Sequence, residues 1–157
     1  ITPYGLESLM VLRTEKGYLH IGLDTDGTTT PLDLGWGVPI SKKVDDFIGA
    51  RSLQRPNDQR SDRLQFVGLQ SVENKKPLPL GGHIISQANP KIPIDTQGYC
   101  TSACYSPTLK RWIGLGLVSS GRERMDESVF IFSNGKTVAA KIVSPTHFDL
   151  KGERLNG

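Results

Sequence analysis

Cys100 and Cys104 are the first residues to test for chemistry, lying within Gly98-Tyr99-Cys100-Thr101-Ser102-Ala103-Cys104-Tyr105-Ser106. On an extended strand they lie ~13 Å apart at ~3.3 Å per residue, beyond the ~7 Å Cα separation that a disulfide tolerates. A metal site would draw histidines at short spacing, and His20, His83 and His147 are scattered along the chain. The two thiols read as small buried residues, and no metal ligand set is assigned. Ser106 precedes Pro107 and lacks the Gly-x-Ser-x-Gly elbow that exposes a serine nucleophile. Gly114-Leu115-Gly116 lacks the third glycine of a dinucleotide fingerprint and the Lys-Ser/Thr of a phosphate loop. Asp24-Thr25-Asp26-Gly27 opens like a calcium loop, but that loop's sixth position would be Thr29 and its twelfth Gly35. It reads as a polar turn, with Glu15, Asp24 and Asp26 as solvated surface acids. Tyr18 and Trp36 remain: either ring can wall a planar ligand or pack in a core. No residue is assigned a catalytic role.

These side chains need elements to hold them. Thr2-Pro3 followed by Glu7 predicts a helix over 3–16, with Leu6, Leu9, Met10 and Arg13 along one side and Gly17 as its left-handed stop. Tyr18 to Leu23 alternates as a short strand. Thr30-Pro31 repeats the helix-start signal ahead of Leu32-Asp33-Leu34, Val38 and Ile40 form a brief strand, and Asp45 to Leu53 a second helix. From Arg55 to Arg63 the only apolar residue is Pro56, which marks a linker and a boundary. After it the period becomes two. Strands are predicted near 64–71, 83–86, 98–105, 112–118, 128–133 and 136–144, with Asn134-Gly135 as a two-residue type I′ turn. Pro107 cannot donate to a ladder, so Ser106-Pro107-Thr108 turns between two central strands. Gly114 and Gly116 share one face, open to close approach. The predicted class is α+β, a helical part followed by a small antiparallel barrel, closed or nearly so.

The chain has 157 residues, 36% of them hydrophobic and 22% charged, which fits one generous folded domain or a domain plus part of another. Its net charge of +3 is too small to argue for nucleic acid. No apolar run approaches the ~20 residues needed to span a membrane. No signal peptide stands out, so the cytoplasm is the default compartment. The chain begins at Ile1 without methionine, which points to a fragment or a processed product. Residue types alone lead to a helical piece joined to a barrel with no autonomous active site.

The order of motifs goes further. Tyr4 to Gly17 (Tyr-Gly-Leu-Glu-Ser-Leu-Met-Val-Leu-Arg-Thr-Glu-Lys-Gly), Asp26-Gly27-Thr28-Thr29-Thr30-Pro31, Asp33-Leu34-Gly35, and Lys42-Lys43 with Asp46 to Leu53 resemble the end of a folate-binding fold. That fold belongs to the glycine-cleavage T-protein (aminomethyltransferase) family. Thr101 to Leu109 with Ile113 to Val118 resembles its C-terminal barrel. Leu12 to Gly17 and the terminus Lys151 to Gly157 are most similar to the family branch formed by alpha subunits of heterotetrameric sarcosine oxidases. T-proteins carry an Arg-Asp pair where this chain has Leu9-Met10.

The resemblance implies residues 1–55 as the remnant of a folate-binding domain, 56–63 as a linker and 64–157 as the barrel. It implies Tyr18 as an aromatic neighbour of tetrahydrofolate and Trp36 as a second recurring aromatic. The catalytic aspartate and the pterin-anchoring acid would lie upstream of Ile1. FAD, FMN and NAD would serve the whole enzyme and bind outside this stretch. Partners would be the rest of the alpha subunit, the other oxidase subunits and the folate, with no nucleic acid and no membrane. Two alternatives stay open: a T-protein or dimethylglycine dehydrogenase, and a non-catalytic barrel that serves subunit contact.

Overall fold

The computed structural model describes residues 2–37, 40 and 46–156. Helix α1 spans Leu6–Lys16 and a single turn α2 spans Ala50–Leu53. The strands are β1 (Leu64–Ser71), β2 (His83–Ile85), β3 (Gly98–Ser106), β4 (Arg111–Ser119), β5 (Ser128–Ser133) and β6 (Lys136–Val143). A 3-10 turn, Gly121–Arg124, follows β4, and a last turn α3 covers Glu153–Asn156. The strands close into an antiparallel barrel in the order β1-β4-β3-β2-β5-β6, with β6 returning to β1. Each lies where period-two alternation places it, to within a residue or so at each end.

Six strands enclose little space, so the interior must alternate large and small residues. Val67 and Leu69 of β1 point inward opposite Gly116 and Gly114 of β4. A Cβ on Gly116 would sit 2.9 Å from Leu69 Cδ1, and one on Gly114 2.6 Å from the Ser102 carbonyl oxygen. Gly116 thus makes room for the Leu69 side chain of the neighbouring strand, and Gly114 for the β3 backbone and the Leu78 side chain. Leu78, Ile84, Val118, Val129, Ile131 and Ile142 complete the interior. The alternate residues Phe66, Leu115 and Leu117 face outward, where Leu19 and Leu34 of the N-terminal segment cover them. Asn134 and Gly135 have φ of 50° and 73°, as a type I′ turn requires.

Before the barrel the sequence reading needs correction. Helix α1 starts at Leu6 and not at residue 3, because Gly5 is extended (φ −88°, ψ 162°) and caps it without a side chain. Tyr18–Leu23 is no strand: the amides of Leu23 and Asp24 both donate to the His20 carbonyl and fold the segment into a turn. Residues 31–36 form turns, fastened by a reciprocal Thr30–Asp33 pair in which each side-chain oxygen accepts the other's amide. Ile40 donates to the Trp36 carbonyl in a helical turn and does not form a strand; Val38 lies outside the described residues. Of the helix predicted over Asp45–Leu53, Ala50–Leu53 is helical, because Gly49 at φ +96° interrupts it; Asp45 lies outside the described residues.

The largest correction concerns the acids. Leu6 is 80% exposed, and Leu9 is also exposed, while the side of α1 that packs on the barrel carries Arg13, Thr14 and Glu15. Glu15 and Asp24 are buried and not solvated. A charged helix face can be buried only if its charges find partners: Arg13 pairs with Asp24, leaving its Nε without an acceptor among the described residues, and Glu15 accepts two hydroxyls.

Candidate functional site

Two buried acids fasten α1 to the barrel. Asp24 is fully buried and pairs with the Arg13 guanidinium. Its carboxylate also accepts the Thr101 hydroxyl, the Ser102 hydroxyl (2.9 Å) and the His20 amide (2.9 Å). Thr101 and Ser102 adjoin in sequence, and in a regular strand they would point to opposite faces. The register of β3 against β4 shifts between Cys100 and Ser102, and this bulge turns both hydroxyls toward Asp24. Glu15 accepts the Ser106 and Thr108 hydroxyls, at 2.5 and 3.3 Å. The Glu15 carbonyl takes the amides of His147 and Phe148, and the His147 ring reaches the Gly114 carbonyl at 2.9 Å. Arg13, Glu15, Asp24, Thr101, Ser102 and Ser106 are buried, and both carboxylates are taken up by protein donors, which suits a clasp rather than proton transfer to a substrate.

The clasp holds the walls of a cavity of about 590 Å³. Its rings are Tyr18, Trp36 and Phe66, with Leu19, Leu34 and Pro145 between them. Gly17 ends α1 at φ +73° and lies so close to the 144–147 segment that a Cβ would stand 2.5 Å from the Pro145 carbonyl oxygen. Tyr18 follows directly, with its amide on the Arg13 carbonyl (2.9 Å) and its carbonyl accepting from Arg13 Nη1 (3.3 Å). Trp36 is set by its amide on the Pro31 carbonyl. That turn is tied to the barrel through Arg122, which donates to the carbonyls of Asp33 and Leu32, and through the Phe66 amide on the Asp33 carbonyl. Arg63 grips the Asp33 carboxylate from the other side at 2.7 and 2.8 Å. Burial pushes the Asp33 carboxyl up, but the Arg63 and Thr30 donors outweigh it and hold the pKa below the usual carboxylate range.

Tyr18 and Trp36, singled out from the sequence, therefore line one cavity, although neither lies in the element predicted for its surroundings. Both remain about half exposed, at 56% and 51%. Among the described residues, Lys16 is the only charged one on this wall. Its ammonium donates to the carbonyl and carboxylate of Asp149. A second cavity, about 260 Å³, holds Asp26, Asp33, Arg60, Asp62 and Arg63, whose charges are largely spent on one another in the Arg63–Asp33 and Arg60–Asp62 pairs.

The cysteines offer no nucleophile. Burial pushes the Cys100 thiol up to about 12 and raises Cys104 as well, and neither forms a disulfide. Among the described residues no cluster of His, Cys, Asp and Glu could hold a metal ion, and no helix is long and apolar enough to cross a membrane. The sequence reading missed Arg13, Asp24 and the two hydroxyls. Adjacent Thr101 and Ser102 in a strand of otherwise small or apolar residues were the available signal for buried polar partners.

Comparison with known proteins adds to this geometry. The model of the glycine cleavage T-protein C-terminal barrel domain matches residues 65–149. The sarcosine oxidase alpha subunit of Rhizobium meliloti (strain 1021) is 37% identical over 99% of this chain and 16% of that protein. That of Corynebacterium sp. (strain P-1) is 38% identical over 100% and 16%. The aminomethyltransferase of Halothermothrix orenii is 32% identical over 91% of this chain and 38% of that protein. The chain thus spans about a sixth of the oxidase subunits it matches. The crystal structure of aminomethyltransferase T from Bartonella henselae superposes with a TM-score of 0.75 at 24% identity, over 91% of this chain and 38% of that one, and shows the same fold.

Proposed function

The chain belongs to the glycine cleavage T-protein family through its C-terminal barrel domain, and from that premise we propose that it supplies one wall of a tetrahydrofolate site in a sarcosine oxidase alpha subunit. In such an enzyme the one-carbon unit released by oxidative demethylation of sarcosine is captured as methylenetetrahydrofolate. The observation that carries this reading is the meeting of Tyr18 and Trp36 on one cavity. Its volume, about 590 Å³, lies in the range of small-molecule sites, and its walls are mainly apolar with few polar groups, which suits a planar pterin. In this arrangement Tyr18, Trp36 and Phe66 exclude water from the ring faces, and the Arg13–Asp24 clasp fixes Tyr18. Tetrahydrofolate, when bound, supplies the amine nitrogens that accept the one-carbon unit.

The oxidase is favoured over an aminomethyltransferase or a dimethylglycine dehydrogenase because Leu9-Met10 stands where T-proteins carry a charged pair, and because identity is higher to the oxidase subunits. Residues 1–55 are then the end of the folate-binding domain, 56–63 a connection and 64–157 the barrel. The rest of the alpha subunit and the other oxidase subunits are the partners. FAD, FMN and NAD would bind outside this stretch, which lacks a Gly-x-Gly-x-x-Gly fingerprint.

The test is Tyr18→Ala in the whole enzyme. Methylenetetrahydrofolate yield should fall while sarcosine-dependent flavin reduction stays within twofold. Equal loss of both would assign Tyr18 to the fold alone and favour the subunit-contact reading.

A further inference from the structure

A lysine ammonium has three N–H donors, and the environment of Lys16 uses two of them. Its Nζ donates to the Asp149 carbonyl and, at 3.0 Å, to Asp149 Oδ2, and no further partner is present among the described residues. Asp149 is itself fixed, because its Oδ1 accepts the Glu153 amide at 2.8 Å. Lys16 is thereby a cation held in place, half-buried, on the wall that carries Tyr18 and Trp36. Every other described residue on that wall is uncharged. A preorganised donor costs little side-chain entropy when a ligand arrives.

Resting on the cavity's reading as a pterin site, we propose that Lys16 sets the charge class of the ligand, its third N–H taking a carboxylate of the ligand's tail. The site then selects carboxylate-bearing pterins over uncharged ones. Leu9 and Met10 offer no charge for that purpose, so the task falls to the end of α1 and not to its middle. Asp149 orients the ammonium but also opposes an incoming anion, which gives the two residues effects of opposite sign.

The experiment titrates the isotope-labelled 157-residue chain with 5-formyltetrahydrofolate, which carries carboxylates, and with 6-methyltetrahydropterin, which carries none. The amide shifts of Gly17, Tyr18 and Thr146 report binding. Lys16→Gln should weaken 5-formyltetrahydrofolate about fivefold, the scale of a partly exposed charge pair, and leave 6-methyltetrahydropterin unchanged. Asp149→Asn should strengthen the carboxylate-bearing ligand about two- to threefold, and that gain should fade with added salt. Equal weakening of both ligands by Lys16→Gln, no weakening, or loss of affinity in Asp149→Asn overturns the proposal while leaving the pterin cavity standing. If neither compound shifts those amides at millimolar concentration, the cavity reading fails and this inference with it.

Discussion

Asp24 pairs with Arg13 where neither is reached by bulk water, so the two stand or fall together. Asp24→Ala would leave a buried guanidinium without its counter-charge and Thr101 and Ser102 without an acceptor, at a cost of about 3–5 kcal/mol. Urea unfolding measures this; a loss under ~1 kcal/mol would mean that the pair is solvated in solution. His147 lies in the same seam. Burial holds its pKa below the ordinary value, outweighing the Gly114 carbonyl and the nearby Glu15 carboxylate, which pull it up. A group with a depressed folded pKa contributes stability above its unfolded pKa of ~6.5 and loses it on acidification. The thermal midpoint should therefore fall between pH 7 and pH 5, before most carboxylates titrate, and His147→Gln should flatten that slope. At this scale the sequence concealed most of the site. Thr-Glu-Lys at the end of a helix looks like a solvated face, and no local pattern says that Asp24 will meet a strand nearly eighty positions later.

At the scale of elements the barrel was legible because alternation, Pro107 and Asn134-Gly135 are local signals. The segment before it was not, because its turns are held by contacts to β1, β3 and the 121–124 turn. Gly135 at φ +73° has open space around it, so a side chain there costs backbone strain alone. Gly135→Val should destabilise by roughly 1–3 kcal/mol, and an unchanged thermal midpoint would show a looser turn. Helix α1 should be uneven. Its first turns present exposed Leu6, Leu9 and Leu12, whereas Arg13 to Glu15 are clasped to the barrel. Hydrogen exchange should find the amides of 9–12 opening locally and those of 13–16 protected nearly as well as β3 and β4. Uniform protection along α1 would mean that something covers the leucines.

At the scale of the whole molecule the barrel stands closed, and the cavity beside it is open. Tight small-molecule sites bury roughly 70–90% of the ligand, with a few polar groups to orient it. Here Tyr18 and Trp36 keep half of their own surface in water, and among the described residues the wall offers as orienting groups the Lys16 ammonium, the Thr146 hydroxyl and the polar edges of Tyr18 and Trp36. A pterin lying against such a wall gains stacking and some apolar burial but must still be immobilised, and that cost is largely uncompensated. The 157-residue chain should therefore bind tetrahydrofolate in the millimolar range, about −4 kcal/mol, and should not oxidise sarcosine. On the proposed reading, a full-length oxidase subunit, about six times as long in the relatives this chain matches, supplies the remaining walls and should tighten binding by orders of magnitude. Calorimetry on both proteins decides the matter. A micromolar constant for the 157-residue chain would place the complete site within these residues. Millimolar binding that Tyr18→Ala and Trp36→Ala each abolish would identify this cavity as one wall of a larger one.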